Sequence, residues 1–327
     1  MSQKGLESIP MNNTSNAQPA VRHVEIHEDA QGQRLDNFLM TTLKGVPKSH
    51  IYRLIRSGQV RVNKGRAKQT QRLELGDVVR IPPVRVATRA TAPSSVDFKP
   101  KFLHQDEYLW IVDKPAGMAV HGGSGHSLGL IESLRVLYPE ERQLELVHRL
   151  DRDTSGAIVV ARKRSTLKQL QRMLQNNGVR RTYWLLCSGF NRKEINISAP
   201  LLRQEAGQGK KMVVSKAGKA ALTHFRLLAN GAEQSQLVQA ELATGRTHQI
   251  RVHAQFGGFP IVGDNRYGDT VRDERWCTQL KETPPRLMLH ARGLAFRHPV
   301  SGEQITVEAP LDKAFSRWLN KLSFQIK

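Results

Sequence analysis

The stretch 84–100, VRVATRATAPSSVDFKP, has neither helical nor strand periodicity and is built largely from Ala, Thr, Ser and two prolines. Such a segment reads as a linker. The 327-residue chain is therefore expected to fold as two cores rather than one, as its length allows. The expected division is a disordered start over 1–22, a small domain over 23–83, the linker over 84–100 and a large domain over 101–327. Residues 1–22 are polar, carry no apolar run of the secretory type, and are expected to stay unfolded.

Charge and composition narrow the class. The formal charge of +21 calls for a polyanionic partner, with nucleic acid as the default. A hydrophobic content of 39% is too high for a disordered basic tail. No apolar run approaches the roughly 18–20 residues that span a bilayer. Two cysteines, Cys187 and Cys277, exclude a disulfide framework and a cysteine-based zinc cluster. The expectation is a cytoplasmic protein with no membrane contact.

In the small domain, Leu35, Phe38, Leu39 and Leu43 recur at helical spacing. A second helix follows Pro47, with Ser49 as the expected N-cap, Ile51, Leu54 and Ile55 as its buried stripe, and Gly58 as its left-handed end. Hairpin signals come next at Asn63-Lys64-Gly65 and Gly76-Asp77. Between 34 and 83 there are 11 basic and 3 acidic residues, a net +8. Lys48, Arg53, Arg56, Arg61, Lys64 and Arg66 gather on the second helix and its hairpin. The pattern reads as a small αβ module that grips phosphates, with a solvated basic face as the other reading.

The larger part alternates short strands with a few helices. Ala157–Ala161 is a continuous apolar strand. Leu167, Leu170 and Leu174 mark an amphipathic helix that should end at Gly178. Crossover helices do not separate the strands regularly, so an α+β fold on a mixed or largely antiparallel sheet is expected rather than a doubly wound one.

Its polar residues cluster. The loop HRLDRDTSG (148–156) precedes the apolar strand, a position that often holds an active site. Asp151 between Arg149 and Arg152 suits a carboxylate nucleophile or base, not a general acid. A charged turn capped by Asp153 is the alternative. In TGRTHQIRVH (244–253), Arg246 and Arg251 suit a phosphate or a carboxylate. His248 and His253 lack a third ligand and the spacing of a metal site. GDNRYG (263–268) reads as a tight turn. Lys114, before a proline, either points into a cleft or solvates a turn. GGSG (122–125) lacks the Lys-Ser/Thr ending of a triphosphate loop. Tyr183, beside Arg180 and Arg181, either stacks on a base or sits in the core.

Two resemblances join these segments. The order RLDNFL, SHIYRLIRSGQVRVN and LxxGDVV resembles the S4 RNA-binding domain. HRLDRDTSG, KPxG, RxTY, GRTHQIRVH and GDNRYG together resemble the RluA-type pseudouridine synthases, over about 24–320. The resemblance implies a pseudouridine synthase domain with helices flanking its sheet. It also implies isomerisation of uridines in large-subunit ribosomal RNA or a pre-ribosomal particle, by a monomer without metal or cofactor. It puts the catalytic aspartate at Asp151, its basic partner at Arg251, the base-packing tyrosine at Tyr183, and a residue that keeps the nucleotide site open at Arg149. Where the family often has lysine, this chain has Arg181, which keeps the charge. Two rivals stand beside this reading: a non-catalytic S4-type RNA-binding protein in ribosome assembly, and a metal-dependent nuclease using Asp151, Asp153 and His148.

Overall fold

The computed structural model describes residues 20–28, 30–43, 45–84, 97–122, 128–206, 209–283 and 285–325. The chain divides into two compact units, Met1–Ser95 and Val96–Lys327. The expectations for 1–22 and 84–100 fall mostly outside the described residues, as do residues 123–125 of the GGSG segment.

The first unit runs β1 (Arg22–Glu25), α1 (Leu35–Thr42), α2 (Lys48–Arg56), β2 (Arg61–Val62), β3 (Gly65–Arg66) and β4 (Val78–Ile81). Its sheet has the order β1-β4-β2-β3. The apolar stripes of α1 and α2 close one core with Val60, Val62, Val79 and Ile81. Ser49 is not the cap of α2: the N-cap is Pro47, two residues earlier, with no side-chain cap bond. Proline at that position already holds the extended backbone of a helix entry. Gly58 does take the left-handed conformation (φ +71°) that turns the chain out of α2. Asn63 and Lys64 both have positive φ, forming the two-residue turn that matches strand twist.

The second unit contains β5 (Lys101–Gln105), β6 (Leu109–Lys114), α3 (Leu130–Leu137), β7 (Glu145–Leu146), β8 (Ser155–Ala161) and α4 (Arg164–Gln175). It continues with β9 (Val179–Ser188), β10 (Glu194–Ser198), β11 (Leu201–Ala206), β12 (Gly209–Val214), β13 (Leu222–Asn230) and β14 (Ser235–Leu242). Last come α5 (Gln249–Phe256), α6 (Thr270–Leu280), β15 (Leu289–Arg297), β16 (Gln304–Glu308) and α7 (Lys313–Lys321). Ten strands form one sheet in the order β10-β13-β14-β9-β15-β8-β6-β5, with β16 on β15 and β7 on β8; β11 and β12 form a separate hairpin.

All seven residues of β8 are buried, because helices and loops cover both sheet faces. Alternate residues divide between two cores. Ile158 and Val160 join α3 and α7 on one face, while Ala157, Val159 and Ala161 join Leu170 of α4 on the other. The end of α4 departs from expectation. Asn177 (φ +57°) supplies the left-handed residue, and the Gly178 amide reaches back to the Met173 carbonyl at 2.7 Å. Asparagine tolerates this conformation, so the left-handed residue falls one position before the glycine, just after the C-cap Asn176.

The pairing of β15 with β8 is the one parallel pairing among the described strands of the large sheet. On its other edge β15 runs antiparallel to β9. His290 of β15 therefore faces both Ser155, the first residue of β8, and Trp184 of β9. This register brings the loop before β8 beside the middle of β9. A Cβ at Gly156 would stand 2.3 Å from the Ala291 carbonyl oxygen, so the tight parallel seam needs glycine there.

Candidate active site

The loop 148–154 emerges at that seam. The Thr154 amide closes its turn on the Asp151 carbonyl at 3.2 Å. Lys114 holds it from beneath. This side chain neither enters the cleft nor solvates a turn: it is fully buried. Its Nζ lies 2.7, 2.8 and 3.0 Å from the carbonyls of Pro115, Met118 and Arg152. Burial pushes the amine down to about 7, while three carbonyl acceptors match the three hydrogens of an ammonium ion. His148 anchors the start of the loop, its Nε2 accepting from the Val159 amide at 3.2 Å. Burial, then the nearby Arg181 charge, push this imidazole down to about 4, so it is neutral at pH 7.

The Asp151 carboxylate meets a partner 100 residues away. Arg251 Nη1 donates to its Oδ2 at 3.0 Å. The other edge of Arg251 is held in a bidentate pair by Asp264, at 2.7 and 2.8 Å. Asp264 also accepts the Arg266 and Tyr267 amides, each at 3.0 Å. Burial would raise the Asp264 carboxyl, but the Arg251 guanidinium and the two amides outweigh it and hold the group below its ordinary value. Burial likewise opposes the charge on Arg251, and Asp264 with Asp151 reverses the effect, raising it above its ordinary value. The Tyr267 ring lies 5.1 Å from the same guanidinium. Arg251 is thus clamped on one edge and presents the other to Asp151.

Two elements place Arg251 and its neighbours. His248 takes a left-handed conformation (φ +53°) just ahead of α5. Its Nδ1 shares a 2.9 Å hydrogen bond with the Tyr267 hydroxyl, and its Nε2 lies 3.9 Å from Asp151 Oδ1. Burial lowers its pKa, against the pull of Asp151. Gln249 ties down the GRTH loop. Its Oε1 accepts from the Arg246 amide and the Thr244 hydroxyl, and its Nε2 donates to the Leu222 carbonyl and the Thr223 hydroxyl. His253 is fully buried on the Thr223 hydroxyl and the Ala199 carbonyl. Among the described residues, no three His, Cys, Asp or Glu side chains are grouped to hold a metal ion.

These residues open onto a cavity of about 470 Å³, large enough for a nucleotide-sized ligand. Asp151, Arg149, Tyr183, Arg246 and Ile250 line it. Tyr183 is 6% exposed and belongs to the core while facing the cleft. Burial pushes its phenol up to about 12 against the Arg181 charge, leaving it neutral. Arg149 is exposed at the cleft. Arg152 turns to Asp153 at 3.1 Å, so the arginine bonded to Asp151 is Arg251, not the adjacent Arg152. That pairing also replaces the turn cap expected of Asp153.

In the first unit, Lys48, Arg53, Arg56, Arg61, Lys64 and Arg66 are all exposed on α2 and the β2–β3 hairpin. Beneath them Asp36, buried, accepts from Arg34 at 2.7 Å and from the Tyr52 hydroxyl at 3.1 Å. This contact locks α1 to α2 and leaves the six cations facing solvent.

Comparison with known proteins follows the same division. The family described as RNA pseudouridylate synthase matches residues 108–256, and the S4 domain matches residues 33–79. A ribosomal large subunit pseudouridine synthase C from Pasteurella multocida (strain Pm70) is 48% identical, over 94% of this chain and 95% of that protein. One from Escherichia coli (strain K12) is also 48% identical, over 93% and 97%. The solved structure of human RNA pseudouridylate synthase domain containing 4 aligns with a TM-score of 0.57 at 27% identity, covering 69% of this chain and 94% of the human one.

Fold, cleft and matches define an isomerase that rearranges uridine in RNA. Within that class, the chain belongs to the RluA-type pseudouridine synthase family and carries an S4 domain. Among the described residues no helix is long and apolar enough to cross a membrane.

Proposed function

We propose that this enzyme converts specific uridines of large-subunit ribosomal RNA, free or in an assembling particle, to pseudouridine. The supporting observation is the Asp151 carboxylate held on Arg251, itself clamped by Asp264, at the wall of a nucleotide-sized cavity. Residues 23–83 act as the RNA-binding domain, 84–100 as linker and 101–327 as the catalytic domain of a cytoplasmic monomer.

In this reading Asp151 is the catalytic residue. Its carboxylate acts on the ribosyl-uracil unit, the glycosidic C–N bond breaks, the uracil turns, and a C–C bond rejoins it to ribose. Every atom is conserved, so the reaction needs neither redox partner nor cosubstrate. Arg251 aims and neutralises the carboxylate. A uridine inside folded RNA must first leave its stack, at a cost of a few kcal/mol. Tyr183 offsets this by contact with the uracil, worth about 1–3 kcal/mol, and Arg149 keeps the vacated site open. Lys48, Arg53, Arg56, Arg61, Lys64 and Arg66 contribute phosphate contacts.

The test is a map of pseudouridine in ribosomal RNA from cells lacking this protein, complemented with the wild-type gene or with Asp151→Asn. Discrete large-subunit sites should vanish, return with wild type and stay absent with Asp151→Asn. An unchanged map in the deletion strain would refute the proposal.

A further inference from the structure

Arg181 has so far been given no role in the reaction. It lies on β9 two residues before Tyr183, so the two side chains share a strand face, and both line the cavity that holds Asp151. Arg181 is 8% exposed. Its Nη2 donates to the Leu242 carbonyl at 3.2 Å, and its Nε is buried with no hydrogen-bond partner among the described residues. Its Nη1 lies where Gly245 leaves room: a Cβ on that glycine would stand 3.1 Å away. Among the described residues, only Arg272 is an arginine buried to this degree besides Arg181, and Arg272 is paired with Asp273 at 2.6 Å. Arg181 has no ion pair among them. A buried cation without a counter-charge costs several kcal/mol. Such a cation facing an active-site cavity is a fixed charge waiting for an anion.

We propose that the Arg181 guanidinium receives the negative charge the uracil ring acquires when its bond to ribose breaks. This deepens the function proposed above and rests on it. When the C1′–N1 bond breaks, its electron pair leaves with the uracil and spreads over N1, O2 and O4. The deficit at C1′ is met either by a bond from an Asp151 carboxylate oxygen or by loss of the C2′ proton to Asp151. Either route leaves one negative charge on the detached ring. The charge is consumed as C5 bonds to C1′: Asp151 regains its electron pair or returns its proton, and the C5 proton is replaced by one on N1. RNA also brings phosphates, but the exposed cations Arg149 and Arg246 at this cleft are open to those. The buried cation beside Tyr183 is on the side assigned to the base.

The test uses the full chain and large-subunit ribosomal RNA transcribed in vitro. Single-turnover pseudouridine formation and RNA affinity across a salt series are measured for wild type, Arg181→Met, Arg181→Lys and Gly245→Ala. Loss of a donor aimed at developing charge lowers the rate by roughly 10²–10³-fold. Arg181→Met should show that loss with Kd within about twofold and an unchanged salt slope. Arg181→Lys should recover part of the rate, and Gly245→Ala should lose part, since it displaces Nη1 while keeping the charge. A wild-type rate in Arg181→Met overturns the proposal. So does a normal saturated rate with a salt slope reduced by about 0.7–0.9, the mark of a phosphate contact. If Arg181→Met fails to fold, wild-type rates in both other variants overturn it. Failure of wild type itself to form pseudouridine would instead sink the proposed function.

Discussion

In the first unit six cations stand in solvent on one helix and one hairpin, while in the second Arg251, largely buried, and Arg181, buried, line a cleft. Exposed cations are screened by salt, move freely and tolerate exchange. They suit affinity for a polyanion whose exact shape varies. Buried cations have fixed directions and fixed partners, and removing a partner leaves a charge stranded. On the proposed reading, positive side chains supply grip in one unit and geometry in the other. Variants in the first should read out in affinity and salt dependence, and variants in the second in rate and stability.

The largest expected effect is at Arg251. Arg251→Met leaves Asp264 buried without its cation and Asp151 without its aim. Stability should fall by about 3–5 kcal/mol, the usual result of breaking a buried pair, with turnover below detection. Chemical denaturation and pseudouridine assay check both. Near-normal stability would mean the clamp is solvated in solution.

Next in size is neutralising the six cations of α2 and its hairpin. Each lost phosphate contact should lower the slope of log Kd against log salt by about 0.7–0.9. RNA binding measured from low to physiological salt gives that slope directly. A full slope in the six-fold variant would move the grip elsewhere in the chain and erase the contrast drawn here.

Tyr183→Leu is expected to come third. It keeps an apolar side chain in the core and removes the ring, so turnover should drop by about 1–3 kcal/mol of base contact with little change in melting temperature. A large fall in melting temperature with normal turnover would leave Tyr183 as a core residue alone.

The last effect, absent at neutral pH, sharpens the contrast through acid. Burial pushes His290 down to about 4 from an ordinary 6.5. The unfolded chain therefore binds a proton between those values that the folded chain refuses. Stability should be complete above pH 6.5 and fall as pH drops toward 4, by up to about 1.4 kcal/mol per unit from this residue. His290→Gln should flatten that slope in denaturation at pH 7, 5.5 and 4.5. An equally steep slope in the variant would assign the acid sensitivity to other groups.

Some of this was legible in the sequence. Apolar periodicity marked α1, α2, α4 and β8, because burial on one helical face or both sheet faces writes itself into spacing. Asp151, Arg251 and Tyr183 were reached through clustered polar residues and a family resemblance. Helix ends were less legible, as Pro47 and Asn177 took positions expected of Ser49 and Gly178. Asp264 looked like part of a turn and is the clamp on Arg251. Lys114 looked like a surface or cleft residue and is a buried strut. Local pattern could not show either, since both contacts depend on how loops fold back against neighbouring elements. Gln249 escaped for the same reason, and Arg181 was legible only as a basic neighbour of Tyr183. Their partners, Leu222 and Leu242, are backbone carbonyls, which leave no trace in side-chain identity.

The most direct measurement compares purified wild type and Asp151→Asn on unmodified large-subunit ribosomal RNA, recording pseudouridine formed and RNA bound in the same samples. The substitution removes one negative charge and keeps the side chain's shape. The account predicts that the variant folds, binds RNA with near-normal affinity and forms no pseudouridine. Product formed by the variant at the wild-type rate would contradict it.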